Sequence, residues 1–167
     1  MKQPRSKIAI GFGIFIGICI FGGCLYFVGG VSATTPPIRQ YKFKGSAAQF
    51  KQGLYNQIKS DTSLKNKDER TIGSKESGYA YDVTINQCEK GLCNEYGLRY
   101  EDEKAGARIS LLSAFDEGYK HGGYGIKATG MKKILSQFET NILKPLKTEQ
   151  KINLVPDTSF FSTFSIY

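Results

Sequence analysis

The chain has 167 residues, of which 40% are hydrophobic, and its formal net charge is +8. About 130 residues remain after the N-terminal apolar run, which suits one small domain with a single core and argues against a second domain. Despite its positive charge, the sequence has no arginine-rich run and no aromatic-basic RNA-binding signature, so nucleic acid is not expected as a partner.

The N-terminal region is dominated by an uncharged apolar run over residues 8–31, which begins at Ile8, ends at Val31 and follows three basic residues. As a helix it would be about 36 Å long, more than the roughly 30 Å of a bilayer hydrocarbon core, and it has no polar stripe. We predict a single transmembrane helix that contacts membrane lipid and serves as a signal anchor. Residues 1–7 would then be a cytoplasmic segment.

Two other interpretations of this run remain open. Cleavage before Thr34 would give a secreted form, and lipid attachment at Cys24 would give a lipoprotein. The run is longer than the roughly 7–15 apolar residues of a signal peptide, which favours an uncleaved anchor. Gly13 and Gly17 form a GxxxG pair that would allow close helix packing and a homo-oligomer, although glycine is also common in membrane helices.

The cysteines indicate the compartment. Cys88 and Cys93 are the only two beyond the apolar run, and they flank four residues typical of a hairpin turn. We predict a disulfide between them, with a contribution of about 2 kcal/mol from chain entropy. Disulfides persist outside the reducing cytosol, so we expect an inner-membrane protein with an extracytoplasmic C-terminal domain. A zinc site is not expected, because the single histidine, His121, cannot complete a four-ligand Cys/His site.

The charge is uneven along the domain. Residues 39–76 carry nine basic and four acidic side chains, whereas residues 79–117 carry four basic and eight acidic ones. Basic side chains close to the apolar run, including Arg39, Lys42 and Lys44, could each gain about 1 kcal/mol from anionic lipid. A solvated surface is the commoner explanation of such a charge excess.

The first elements of the domain follow a linker over residues 32–40. Alternation over residues 41–43 predicts a short strand, and Ser46 is a suitable N-cap for a helix that runs to about Lys59. The almost wholly polar stretch over residues 60–78 is predicted to be a long exposed loop, with a short strand near its end as an alternative.

From residue 79 the hydrophobic pattern has a period of two, which predicts an antiparallel meander over about 79–88, 93–101 and 107–115. Leu112 and Ala114 would lie on the face opposite the inward residues of the third strand. The residues expected to face inward are Tyr79, Tyr81, Val83, Ile85, Tyr96, Leu98, Tyr100, Ile109, Leu111 and Phe115.

A glycine-rich loop over residues 116–125 follows the meander, with a brief strand predicted over 124–128. Thr129 is expected to cap a second helix whose apolar stripe ends at Pro145. Residues 146–167 form an aromatic tail, which is expected to add a strand, dock on a partner or fray. The candidate interaction residues in this tail are Phe160, Phe161, Phe164 and Tyr167.

The fold class is therefore α+β, with an antiparallel meander of three to five strands packed against two helices over residues 41–145. This element order resembles, in architecture alone, the small helix-and-curved-sheet domains of bacterial envelope lipoproteins and single-span secretion-system components. The resemblance transfers no functional residue.

No catalytic residues are predicted. Ser113, His121 and Asp116 could be drawn as a triad, but the sequence has no nucleophile elbow such as GxSxG, and it has no phosphate-binding glycine motif. The glycine-rich loop is interpreted first as a bend between the sheet and the second helix. It is also the candidate ligand or partner loop, through Tyr119, Lys120, His121 and Tyr124.

The sequence favours a non-enzymatic, membrane-anchored protein of the bacterial cell envelope that binds other envelope proteins, with no metal and no cofactor. A second hypothesis is a carrier that holds a lipid or other apolar ligand between the sheet tyrosines and the second helix. A toxin-neutralising immunity protein would have the same size and location. An enzyme that uses the glycine-rich loop ranks third.

Overall fold

The computed structural model describes residues 36–74 and 78–158, and these residues form an antiparallel sheet of seven strands with helices on one face. The order across the sheet is β2-β3-β4-β5-β1-β7, and β6 pairs with β5. The α+β meander is thus confirmed, with more strands than the predicted three to five. The strands are β1 (Arg39–Phe43), β2 (Leu64–Ser74), β3 (Gly78–Glu89), β4 (Leu92–Glu103), β5 (Gly106–Asp116), β6 (Gly122–Gly123) and β7 (Val155–Pro156).

Several predictions fall on residues that the structure does not describe. Within residues 36–74 and 78–158, no helix has the length and hydropathy needed to cross a membrane. The predicted span over 8–31 lies outside this part of the chain, together with Gly13 and Gly17. The candidate tail residues Phe160, Phe161, Phe164 and Tyr167 also lie outside it.

The first helix, α1 (Ala47–Ser60), begins where the sequence predicts. Ser46 and Gln49 form a capping box, in which the Gln49 amide donates to the Ser46 hydroxyl at 3.2 Å and the Ser46 amide donates to the Gln49 side chain at 2.9 Å. Gly53 on the buried face permits close approach of the chain, since a Cβ there would lie 2.1 Å from the Ile152 side chain.

The predicted exposed loop over residues 60–78 is wrong for most of its length, because residues 64–74 form β2. This strand lies at an edge of the sheet and pairs with β3 from Leu64 to Ser74, with a register shift between Asn66 and Asp68. Its side chains are mostly exposed, so the strand lacks the alternating apolar pattern on which the prediction depended. Charged side chains and an irregular register are common devices that protect edge strands from aggregation.

The β3–β4 hairpin and its disulfide are confirmed. Cys88 and Cys93 lie directly opposite each other in the register and are bonded, with a Cα–Cα distance of 4.1 Å. The turn between the strands consists of Lys90 and Gly91, whose φ angles of 52° and 81° match the left-handed requirement of a tight hairpin. The inward face of β4, with Tyr96, Leu98 and Tyr100, is also as predicted.

The end of β5 differs from the prediction, which placed Phe115 inward and Ala114 outward. The β4–β5 register shifts so that Gly97 pairs with Ser113 and Leu98 pairs with Leu111, which leaves Leu112 as an extra residue. This bulge reverses the alternation beyond it, because each added residue exchanges the two faces of a strand. Ala114 is consequently buried and Phe115 lies on the outer face.

The second helical region also differs in its boundaries. Thr129 is not the cap, because α2 (Met131–Phe138) begins after Gly130, which has a left-handed φ of 76° and makes no side-chain capping bond. The helix does not end at Pro145 either. A π-helical turn (Glu139–Leu143) connects α2 to α3 (Lys144–Thr148), in which Pro145 occupies the first turn, where its missing amide hydrogen is tolerated.

The core lies between the inner face of the sheet and the two helical regions. Phe50 of α1 packs on Tyr100, and Phe138 of α2 packs on Tyr96, with ring centroids 5.4 and 5.0 Å apart. Residues beyond 145 belong to this core, since Leu146 and Ile152 are buried and β7 pairs with β1. The outer face of the sheet carries mostly polar side chains.

Candidate functional site

The glycine-rich loop folds back on the end of β5. Gly122 and Gly123 form β6 and pair with Phe115 and Ala114, so the predicted strand over 124–128 is two residues long and lies earlier in the chain. Gly122 has a φ of 94°, and a Cβ on it would lie 2.1 Å from the Ala114 carbonyl oxygen. Only glycine can occupy this position, so the sequence of the loop is adapted to its conformation.

Asp116 and His121 close the base of this loop. The His121 amide donates to one carboxylate oxygen of Asp116 at 2.8 Å, and the ring Nδ1 lies 2.6 Å from the other. The bond from the His121 backbone amide is the main cause that lowers the pKa of Asp116, and the ring contact adds to it. The contact fixes the loop conformation, while the ring remains half exposed to solvent.

Ser113, His121 and Asp116, which could be drawn as a triad but were not predicted to be catalytic, are divided between two sites. Asp116 and His121 line a cleft at the end of the sheet, whereas Ser113 lines a separate groove on the outer face. Within residues 36–74 and 78–158, no group of three or more His, Cys, Asp or Glu side chains is arranged to hold a metal ion.

We call the first of these the disulfide-end cleft. It has a volume of about 310 Å³ and lies between the β3–β4 turn, the glycine-rich loop and the start of α2. Asn94 of β4 donates to the Gln137 side chain of α2 at 3.0 Å across it. Its lining residues include Leu92, Cys93, Asp116, His121, Lys133 and Ile134.

An aromatic triplet of Phe115, Tyr119 and Tyr124 lies beside the cleft on the outer face. The Phe115 ring contacts both tyrosines, with centroid distances of 4.8 Å to Tyr119 and 5.3 Å to Tyr124. Tilted and edge-on pairs of this kind stabilise by about 0.5–1.5 kcal/mol each beyond their buried area. The two predicted loop tyrosines are therefore held together by a phenylalanine that the prediction placed in the core.

Tyr119 is also held by an ionic pair on the sheet. Its hydroxyl donates to both oxygens of the Glu95 carboxylate at 3.1 Å, and Glu95 accepts from the Lys67 ammonium at 2.5 Å. The bond with Glu95 raises the pKa of Lys67. The sequence did not predict Glu95 and Lys67 as part of the site, because only the pairing of β2, β3 and β4 brings them next to Tyr119.

Four of the seven large hydrophobic side chains that are exposed within residues 36–74 and 78–158 lie at this end. Leu92 is 68% exposed, Tyr119 58%, Tyr124 62% and Ile126 42%, although all four are large and apolar or aromatic. Lys120 is exposed on the same loop. Tyr119 and Tyr124 both contact the Phe115 ring, and an exposed cluster of aromatic side chains on a small domain is typical of a binding surface.

The space proposed for an apolar ligand, between the sheet tyrosines and the second helix, is occupied by side chains. Tyr96 and Phe138 are in ring contact there, and Tyr81 stacks on Tyr100 with centroids 5.3 Å apart. Burial raises the pKa of both Tyr96 and Tyr100, which is the expected effect of a close-packed apolar surrounding.

Comparison of the chain with protein-family models, with curated proteins and with solved structures finds no match in any of the three.

Proposed function

We propose that this chain is a non-enzymatic protein of a bacterial-type cell envelope, anchored in the inner membrane by residues 8–31, whose extracytoplasmic domain binds another envelope protein. The observation that carries the proposal is the group of exposed apolar side chains at the disulfide end, namely Leu92, Tyr119, Tyr124 and Ile126. Tyrosine side chains such as Tyr119 and Tyr124 are enriched in protein interfaces, where they provide contact area at low entropic cost.

The surroundings of these residues support a binding role. The Cys88–Cys93 disulfide fixes the hairpin that presents Leu92, and the Asp116–His121 contact fixes the loop that presents both tyrosines. Side chains that are ordered before binding lose less conformational entropy in a complex, so affinity rises. The disulfide also supports the extracytoplasmic location, because such bonds persist in oxidising compartments.

Site-specific photo-crosslinking tests this proposal. A photoreactive amino acid replaces Tyr124 in the full-length chain, and the matched control replaces Tyr79 of β3, a tyrosine that is 48% exposed and lies away from the loop. We expect irradiation of cells to give one discrete protein adduct from position 124 and little from position 79.

The opposite results would contradict the proposal. Equal adducts from positions 124 and 79 would indicate random contact with neighbouring proteins. If probes placed at position 119 and at position 124 both gave no protein adduct, these tyrosines would not form a binding surface. A probe on another face of the domain could also be placed in the Tyr119→Ser/Tyr124→Ser variant. A protein adduct from that probe would show that the partner binds without either tyrosine, on another face.

A further inference from the structure

We propose that an anionic lipid binds in a groove at the opposite end of the sheet from the glycine-rich loop. This lysine groove has a volume of about 680 Å³ and is formed by the end of β1, the β4–β5 turn and the segment before β7. Ligand pockets for small molecules commonly have volumes of about 300–1,000 Å³. Its lining residues include Lys42, Phe43, Lys44, Ala107, Lys151 and Val155.

The lysine groove goes beyond the proposed function because it lies at the other end of the sheet. The β3–β4 and β4–β5 turns are separated by the full length of β4, Leu92–Glu103, which is roughly 36 Å at about 3.3 Å per residue. A lipid in this groove and a protein bound at Tyr119 and Tyr124 would therefore not compete directly.

The apolar part of the lysine groove suits a hydrocarbon chain. Phe43 is half-buried, Ala105 is exposed in the turn, and Val155 is 54% exposed although it is aliphatic. Burial of such surface against an acyl chain is favourable by about 25 cal/mol per Å². A free inorganic anion would leave these side chains in contact with water.

The charged part suits an anionic head group. Lys42 is paired with Asp157 at 3.0 Å, and Glu103, the one acidic residue in the lining, is paired with Arg108. Lys44 and Lys151 make no ion pair within the described residues. The lining therefore has an excess of positive charge beside an apolar wall, which is complementary to an anionic amphiphile.

The backbone conformation of Lys151 allows a substitution that removes its charge without disturbing the fold. Lys151 has a φ of 58°, where the chain turns after α3 and the Ile152 amide donates to the Leu146 carbonyl oxygen at 2.9 Å. Glycine is the residue that usually occupies such a left-handed position after a helix. Lys151→Gly should therefore remove the charge from the lysine groove without a loss of folding stability.

The experiment is native mass spectrometry of the full-length chain in a non-ionic detergent, titrated with dioleoylphosphatidylglycerol. We expect one saturable lipid adduct, with binding lowered about fivefold by Lys44→Gln, about fivefold by Lys151→Gly and about 25-fold by both. Dioleoylphosphatidylcholine, which has the same acyl chains and no net charge, should bind at the level of the double variant. Ala105→Trp should lower binding with all lysines intact, because it fills the apolar part.

The matched control is Lys90→Gly with Lys120→Gln at the other end of the sheet. Lys90 also has a left-handed φ, 52°. The control variant therefore loses two positive charges and gains one glycine at a left-handed position, as the Lys44→Gln/Lys151→Gly variant does. An equal loss of lipid in the control pair would overturn the proposal, as would equal binding of phosphatidylcholine. Displacement by inorganic phosphate would assign the site to a free anion, and a photo-crosslink from position 105 to residues 159–167 would assign it to the chain's own tail.

Discussion

Glu69 joins the edge strand β2 to α1, and its removal tests how the sheet edge is held. The carboxylate accepts hydrogen bonds from the Lys51 ammonium at 2.6 Å, from the Tyr100 hydroxyl at 3.2 Å and from the Tyr55 hydroxyl. The Tyr100 side chain is fully buried, so its hydroxyl would lose this acceptor in Glu69→Ala. A buried hydroxyl without a partner costs about 1–3 kcal/mol, and we expect a total loss of about 2 kcal/mol.

The contribution of Glu69 to stability should depend on pH, and the direction follows from its pKa. The Lys51 ammonium, followed by the tyrosine hydroxyls, lowers the pKa of Glu69 in the folded state. The stabilisation is therefore complete above the unfolded pKa of about 4.3 and is lost as the pH falls through the folded value. Glu69→Gln retains an acceptor oxygen but no charge, so we expect it to cost about 1 kcal/mol at pH 7 and less at pH 3.

Urea unfolding of the full-length chain in a non-ionic detergent, followed by circular dichroism, measures both variants at the two pH values. The free-energy difference between the wild type and Glu69→Gln should narrow as the pH is lowered. A difference that stays constant between pH 7 and pH 3, or a loss below about 0.5 kcal/mol for Glu69→Ala, would refute this account of the β2 edge.

Three further predictions use the same unfolding measurement. Replacement of both cysteines of the β3–β4 disulfide by serine should cost about 2 kcal/mol, as should addition of a reductant to the wild type, whereas a wild type that a reductant leaves equally stable would contradict the bond. Ser46→Ala should cost about 1 kcal/mol, and Thr129→Ala should change stability by less than about 0.5 kcal/mol; the reverse order would restore Thr129 as the cap. Gly122→Ala should cost more than about 2 kcal/mol because its Cβ would meet the Ala114 carbonyl, while Gly125→Ala, in open space, should be nearly neutral; equal costs would contradict the loop geometry.

Local signals in the sequence were sufficient for several elements of the fold. The Ser46 N-cap, the turn at Lys90 and Gly91 and the inward face of β4 each depend on a few neighbouring residues. The disulfide could be predicted because its two cysteines flank a hairpin turn. Such features need no knowledge of distant parts of the chain.

The features that the sequence did not reveal depend on contacts between distant segments. The strand β2 has no period-two pattern because it is exposed on most of its length, and only its pairing with β3 makes it a strand. The bulge at Leu112 reverses the expected faces of Ala114 and Phe115, and bulges leave no reliable mark in composition. The aromatic triplet could not be predicted for the same reason, since it requires Phe115 to lie on the outer face.

The most direct test of the central claim is gentle detergent extraction of the tagged full-length chain after crosslinking in its own membrane, followed by size analysis and mass spectrometry. We predict a defined complex with another envelope protein, which is lost in Tyr119→Ser/Tyr124→Ser and retained in the control Tyr79→Ser. A chain that migrates alone in the wild type, or a complex that survives the double substitution unchanged, would contradict the proposed binding function.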